Sequence, residues 1–194
     1  MKSRTLYFCM TIFLLLSSAP LIIAQQGDQQ NAMKKWMEYM TPGTSHQALA
    51  KMVGNWKAIV TMYDAQSGEQ NKTEGTATYE MVLGGRYLKS IFKGTMMGMP
   101  FEGMGLDGYD NASKEYISIW IDNMGTGIMY MKGKWDEDSK TVVYWGNVVN
   151  PISGKEEKSK TVFKKTDDDH MLMTSYMFAG EKEVKQLEIE YSRM

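Results

Sequence analysis

From Trp56 onward the apolar residues recur at every second position, and this period of two constrains the fold more than any other feature. Trp56, Ala58, Val60 and Met62 alternate with Asn55, Lys57, Ile59 and Thr61. Thr73, Gly75, Ala77, Tyr79 and Met81 alternate with Lys72, Glu74, Thr76, Thr78 and Glu80, and Leu187, Ile189 and Tyr191 alternate with Glu188, Glu190 and Ser192. Successive side chains of a strand point to opposite faces, so these segments read as half-buried antiparallel strands. Turn signals fall between them at Ser67-Gly68, Gly84-Gly85, Asp110-Asn111, Gly125, Asp136-Glu137-Asp138, Asn150-Pro151, Asp167-Asp168-Asp169 and Gly180-Glu181. This spacing suits a meander of about ten strands. An open sheet of that size exposes two edges, whereas an up-and-down barrel removes them. With no internal repeat and no helix–strand alternation, the chain is expected to form a single all-β antiparallel barrel preceded by one or two short α-helices.

The first helix is expected at Met33–Met40, where Met33, Trp36, Met37 and Met40 share a face and Thr41-Pro42-Gly43 stops it. It is shorter than the roughly 12–15 residues that sustain an isolated helix, so weak docking or none is expected. A second helix is expected over Ser45–Val53, with Leu49, Met52 and Val53 on one side and Gly54 beyond its end. The Gln-rich residues 25–33 read as a flexible leader.

Lys2 and Arg4 precede a nearly uncharged stretch from Tyr7 to Ala24. Ser17, Ser18 and Pro20 interrupt it, which leaves it too broken for a span of roughly 20 apolar residues. It reads as a secretory signal cut near Ala24-Gln25, with an uncleaved anchor as the alternative. The expected organisation is therefore a signal at 1–24, a leader with a short helix at 25–43 and a barrel at 44–194, in a secreted or periplasmic protein. Cys9, the single cysteine, leaves with the signal, so no disulfide or thiolate chemistry is expected. Losing Lys2 and Arg4 takes the formal charge from −1 to −3, which argues against nucleic-acid binding by phosphate neutralisation. No integral membrane span is expected after cleavage, and the mature chain is expected to be a monomer.

Gly54-Asn55-Trp56, entering the first strand after a short helix, resembles the Gly-x-Trp opening of lipocalin-type barrels. A wider string is more specific: Leu83-Gly84-Gly85-Arg86-Tyr87-Leu88, Met97-Gly98-Met99-Pro100-Phe101-Glu102-Gly103, Gly108-Tyr109-Asp110-Asn111, Trp120-Ile121-Asp122-Asn123-Met124-Gly125-Thr126 and Tyr191-Ser192-Arg193. Over roughly residues 46–193 this resembles the bacterial secreted family known as domain of unknown function 1579. The resemblance implies a lipocalin-like (calycin) barrel in an envelope or secreted setting, and carries over no activity, ligand or catalytic residue.

Candidate site residues therefore rest on strand phase. Tyr116, Ser118, Trp120, Asp122 and Met124 share one face, opposite Ile117, Ile119 and Ile121. Either the isoleucines fill the barrel, or the mixed face lines a cavity and the isoleucines are covered from outside. Cavities that take small molecules are mostly apolar with a few placed polar groups, and Trp120, Asp122 and Met124 are expected to face such a pocket. Arg86 is in phase with Leu88, Ser90 and Phe92, which predicts an inward guanidinium paired with Asp107 or Asp122 or fixing a ligand anion; a swing outward beside Gly85 is the alternative. Asp107 and Tyr109 are in phase with Phe101. Arg193 lies on the apolar face of the last strand and is expected to stack on Trp56, closing the barrel.

Met96, Met97, Met99 and Met104 suit cuprous copper, but no nearby His or Cys sharpens that reading, and a flexible rim fits them better. His46 and His170 lack metal-ligand spacing, and His170 falls at a turn, which counts against haem ligation. No cofactor is expected. The glycine-rich Gly103–Gly108 segment reads as a curved or bulged strand. The leading reading is a non-enzymatic barrel holding a small apolar or amphipathic molecule. The alternatives are an enzyme using Asp122 or Asp107 as acid/base, with Arg86 and Tyr109 positioning substrate, and a filled barrel serving as a protein-interaction module.

Overall fold

The computed structural model describes the backbone from residue 19 and side chains from residue 27, Gln66 excepted. Most of the segment read above as a secretory signal, with Cys9, lies outside the described residues. The chain divides into two units, the first ending at Thr41 and the second spanning Pro42–Met194. The first contains helix α1 (Ala19–Met40), which is longer than the expected Met33–Met40. The Gln-rich stretch read as a flexible leader is helical, since Gln, Ala and Met are good helix formers and no proline interrupts residues 21–40.

The second unit opens with α2 (Thr44–Ala50), followed by β1 (Gly54–Tyr63), β2 (Gln70–Val82), β3 (Tyr87–Met96), β4 (Met99–Asp110) and β5 (Glu115–Asp122). Then come β6 (Met129–Asp136), β7 (Thr141–Val149), β8 (Glu156–Lys165), β9 (His170–Ala179) and β10 (Lys182–Arg193). Each strand pairs antiparallel with the next, and β10 returns beside β1 to close a ten-stranded barrel. The closing register sets Trp56 opposite Arg193, Ala58 opposite Tyr191 and Val60 opposite Ile189, so the apolar phases of the first and last strands meet inside. A shift between Lys185 and Leu187 breaks the phase of β10, which is why its alternation reads cleanly only from Leu187.

Helix α2 is shorter than the expected Ser45–Val53. Leu49 and Met52 are buried as predicted, but Val53 is 40% exposed. Gly54 turns the chain there at φ 137°, a conformation that L side chains rarely adopt. Between β3 and β4 lies a two-residue turn, Met97-Gly98, with φ 51° and 77°. Both residues take positive φ, as the tight hairpin turns that match strand twist require. The Gly103–Gly108 segment is not bulged, because its register with β3 and with β5 is continuous. Its glycines serve close approach, as described below.

Candidate functional site

The barrel has one stoppered end and one end with a cavity mouth. At the stoppered end His46 and Leu49 of α2, followed by Met52, are buried beside the fully buried Trp56. The His46 imidazole accepts a hydrogen bond from the Gly43 N–H at 3.0 Å and meets Tyr109 edge-on at 6.0 Å. Burial lowers its pKa, opposed by a hydrogen bond to the Tyr109 backbone and aided slightly by the Arg86 charge, and this favours the neutral ring that caps the helix. Trp56 Nε1–H donates to the Met52 carbonyl at 2.9 Å. The Arg193 guanidinium lies 4.2 Å from the Trp56 ring centroid. It donates to the carbonyls of Lys51, Val53 and Asp168 at 3.1, 2.9 and 3.0 Å. Arg193 thus caps the carbonyls at the end of α2 while sealing the indole from water.

Beneath this stopper the interior is hollow. A cavity of about 330 Å³ runs from Met52 and Tyr191 toward Met96 and Met129 at the other end. Aromatic residues enclose it without filling it, because several rings lie flat against glycines in the wall. A Cβ at Gly103 would lie 2.1 Å from the Trp120 ring. A Cβ at Gly75 would lie 2.5 Å from the Phe92 ring, and one at Gly133 would lie 2.6 Å from the Tyr144 ring. Glycine in a strand interior costs stability, and here it leaves room for a ring to lie along the barrel wall. Phe101 stacks on Trp120 at 6.4 Å and meets Phe92 edge-on at 5.7 Å. These contacts hold the aromatic lining in place.

Tyr116 is buried, and Ser118, Trp120 and Asp122 line the cavity, as strand phase suggested; Ile121, on the opposite face, is 37% exposed. Ile119 contributes to the lining as well, and the interior is hollow where a filled barrel would be packed. Met124 does not join the site: it sits on the turn after β5, 41% exposed. Asp122 accepts from Trp120 Nε1–H at 2.8 Å and from the Met124 N–H at 2.9 Å, so it orients the indole and pins that turn.

Arg86 does not point inward. It is the last residue of the turn before β3 and is exposed, with Nη1 donating to the Leu83 carbonyl at 3.2 Å. The positive-φ glycines Gly84 and Gly85 place it before the ladder begins, so the phase of β3 does not extend to it. Tyr109 lies at the stoppered end, between His46 and Tyr116, with ring centroids 6.0 and 5.0 Å away. Asp122 pairs with Gly103, four positions along β4 from Asp107, which is roughly 13 Å of strand rise. Arg86, just before β3, and Asp107 and Tyr109 on β4 lie along neighbouring stretches, with Arg86 turned outward, and Asp122 stands apart from them toward the other end.

Asp107 lies deep in the barrel, opposite Ser118 on β5, and keeps surface facing the cavity. Burial pushes its carboxyl up to about 6, against a smaller downward pull from the Ser118 hydroxyl. Tyr79 and Tyr191 face each other near it, hydrogen-bonded and edge-on at 6.2 Å. Burial raises both phenols, Tyr191 to about 12, and it also raises Tyr144. Sequence phase placed Tyr79 and Tyr191 inside but assigned them no site role, and Tyr144, with Ser90, was not singled out as lining. The available signal was polar or phenolic residues on otherwise apolar inward faces. Met97 in the β3–β4 turn and Met99 just after it are exposed, whereas half-buried Met96 lines the cavity. Among the described residues no group of three His, Cys, Asp or Glu is placed to hold a metal ion. His170 is exposed and bound to Asp167 at 2.9 Å. No described helix is long and apolar enough to cross a membrane.

A family model described as protein of unknown function (DUF1579) matches residues 41–193. No curated protein sequence matches the chain. Among solved structures, an S-type phycobiliprotein lyase from Guillardia theta is similar at a TM-score of 0.56 and 9% identity. The match covers 81% of this chain and 96% of that one. At this identity the likeness is one of fold.

Proposed function

Since the chain belongs to the DUF1579 family, whose description carries no activity, we propose a function from the interior: the barrel binds a small apolar or amphipathic molecule within its cavity. The observation that carries this is the hollow core of about 330 Å³, walled by aromatic and methionine side chains with a few fixed polar groups. Sites for small molecules have this character and this order of volume. A folded chain gains stability by filling its core, so rings laid flat on glycines represent stability forgone for space. Exposed apolar side chains at the mouth-end turns, Met97, Ile128 and Ile152, offer a path from the surface for an apolar molecule. A barrel of this fold also serves in the phycobiliprotein lyase to which the chain is similar. The uncharged stretch Tyr7–Ala24 after Lys2 and Arg4 supports an extracytoplasmic setting for this binding.

The test is titration with the neutral apolar dye N-phenyl-1-naphthylamine. Saturable fluorescence enhancement at one dye per chain is expected, and it should be lost in Met173→Trp, which places an indole in the cavity. Undiminished binding by a folded Met173→Trp variant would show that the dye sits elsewhere and would refute the reading.

A further inference from the structure

The charge inventory of the cavity is one-sided. Among the described residues two carboxylates line it, Asp107 and Asp122, and no lysine, arginine or histidine does. Asp122 is engaged by the Trp120 indole and the Met124 amide. Asp107 receives the Ser118 hydroxyl, yet an ionised carboxylate has about four acceptor positions. A buried carboxylate is costly unless a cation or several donors reach it. Around it stand the Tyr79, Tyr144 and Tyr191 rings, whose faces attract cations. We propose that the cavity takes amphipathic molecules headed by a protonated amine, with the ammonium seated at Asp107, and rejects molecules headed by a carboxylate.

This proposal rests on the cavity-binding reading and adds a head-group preference to it. An ammonium supplies up to three donors and the missing positive charge, while its apolar body lies along Phe92, Phe101 and Trp120. A carboxylate head would bring a second negative charge into a site that already holds one, at the full cost of like charges in a low dielectric. The other titratable groups facing Asp107 are Tyr79 on β2, Tyr144 on β7, Tyr191 on β10 and, nearer the mouth, Asp122 on β5. All three phenols are raised by burial and stay neutral through the physiological range. Protonation of Asp107 then dominates the pH response: amine binding weakens below about pH 6, where the carboxyl is neutral.

The test is calorimetric titration of the full chain with three probes of one shape: 4-phenylbutylamine, 4-phenylbutanol and 4-phenylbutyrate. At pH 7.5 the amine is expected to bind roughly 10- to 100-fold more tightly than the alcohol, the worth of a hydrogen bond to a charged group, and the acid more weakly than the alcohol. Asp107→Asn should equalise amine and alcohol. The comparison of head groups on the unmodified protein decides the matter even if a variant fails to fold. An alcohol that binds as well as the amine, or a preference that survives Asp107→Asn, overturns the proposal. If the neutral dye binds and none of the three probes does, the amine assignment falls and the cavity reading stands. If the dye also fails to bind, both fall.

Discussion

Arg193 is the best place to test the stoppered end, because its contacts are numerous and separable. Replacing it with alanine removes a cation over the Trp56 ring at 4.2 Å, worth about 0.5–2 kcal/mol when partly desolvated. It also frees the carbonyls of Lys51, Val53 and Asp168. Hydrogen bonds from a charged donor contribute about 1.5–3 kcal/mol when buried. Here the arginine side chain is 29% exposed, so water can satisfy part of what is lost. The ion pair with Asp169, itself 69% exposed, adds little. The expected total is about 3 kcal/mol, which for a domain of this size is a fall of about 6–12 °C in Tm. Arg193→Lys keeps the charge but not the planar fork and should lose about half as much. Asp169→Ala should stay within about 0.5 kcal/mol of the unmodified protein. Thermal unfolding followed by near-ultraviolet circular dichroism reads all three. A melting temperature for Arg193→Ala within about 2 °C of the parent would refute this account of how the end is closed.

Three further outcomes follow from the same geometry. A Cβ at Gly54 would lie 2.6 Å from the Arg193 guanidinium and is strained at φ 137°, so Gly54→Ala and Arg193→Ala should be strongly non-additive, the double variant losing clearly less than the sum in a double-mutant cycle. Gly103→Ala should push the Trp120 ring off the wall, lowering Tm by about 5 °C and abolishing dye binding; a variant that binds dye normally would show that the ring position is immaterial. Asp107→Asn should stabilise the ligand-free protein at pH 7.5 by about 2–3 kcal/mol, because a carboxyl raised from 3.8 to about 6 binds its proton more tightly in the folded state, and folding loses that advantage as pH rises through this window. The gain should shrink to well under 1 kcal/mol by about pH 4, where the acid is protonated in the folded state and about half protonated in the unfolded one, and urea titrations at the two pH values measure it.

The barrel was legible because period-two alternation and turn residues are local signals, and β1, β2 and the end of β10 carry them without interruption. Closure and the pairing of Arg193 with Trp56 followed once the first and last strands were taken as neighbours. Strand phase also placed Trp120, Asp122 and Asp107 inside. It failed at Arg86 and Met124 for one reason: both stand just outside the ladder, in turns where the alternation of side chains no longer holds. The Met97-Gly98 turn escaped notice because only one of its residues is a usual turn former, although both have positive φ. The helix at Ala19–Met40 was underestimated because a polar, Gln-rich stretch lacks an apolar face while still having good helix propensity. The hollowness of the barrel could not be read from a single strand. It depends on glycines of one strand meeting rings of its neighbour, a relation that exists only once register is fixed.

The two ends of the barrel serve opposing demands. Inside, the fold leaves space unfilled and keeps a carboxyl where burial penalises its charge, and both choices lower the stability of the empty protein. Around the stoppered end, Trp56 and Leu88 are wholly buried, and Arg193 binds three carbonyls that the end of α2 and the β8–β9 turn would otherwise expose. Stability gathered there offsets what the cavity forgoes, and it does so away from the mouth, where a ligand has to pass. Substitutions that fill the interior should therefore raise the melting temperature as they abolish binding, and neutralising Asp107 should raise it as the preference for an ammonium head is lost. Substitutions at Arg193 should do the reverse, lowering it while leaving the affinity of the folded protein intact.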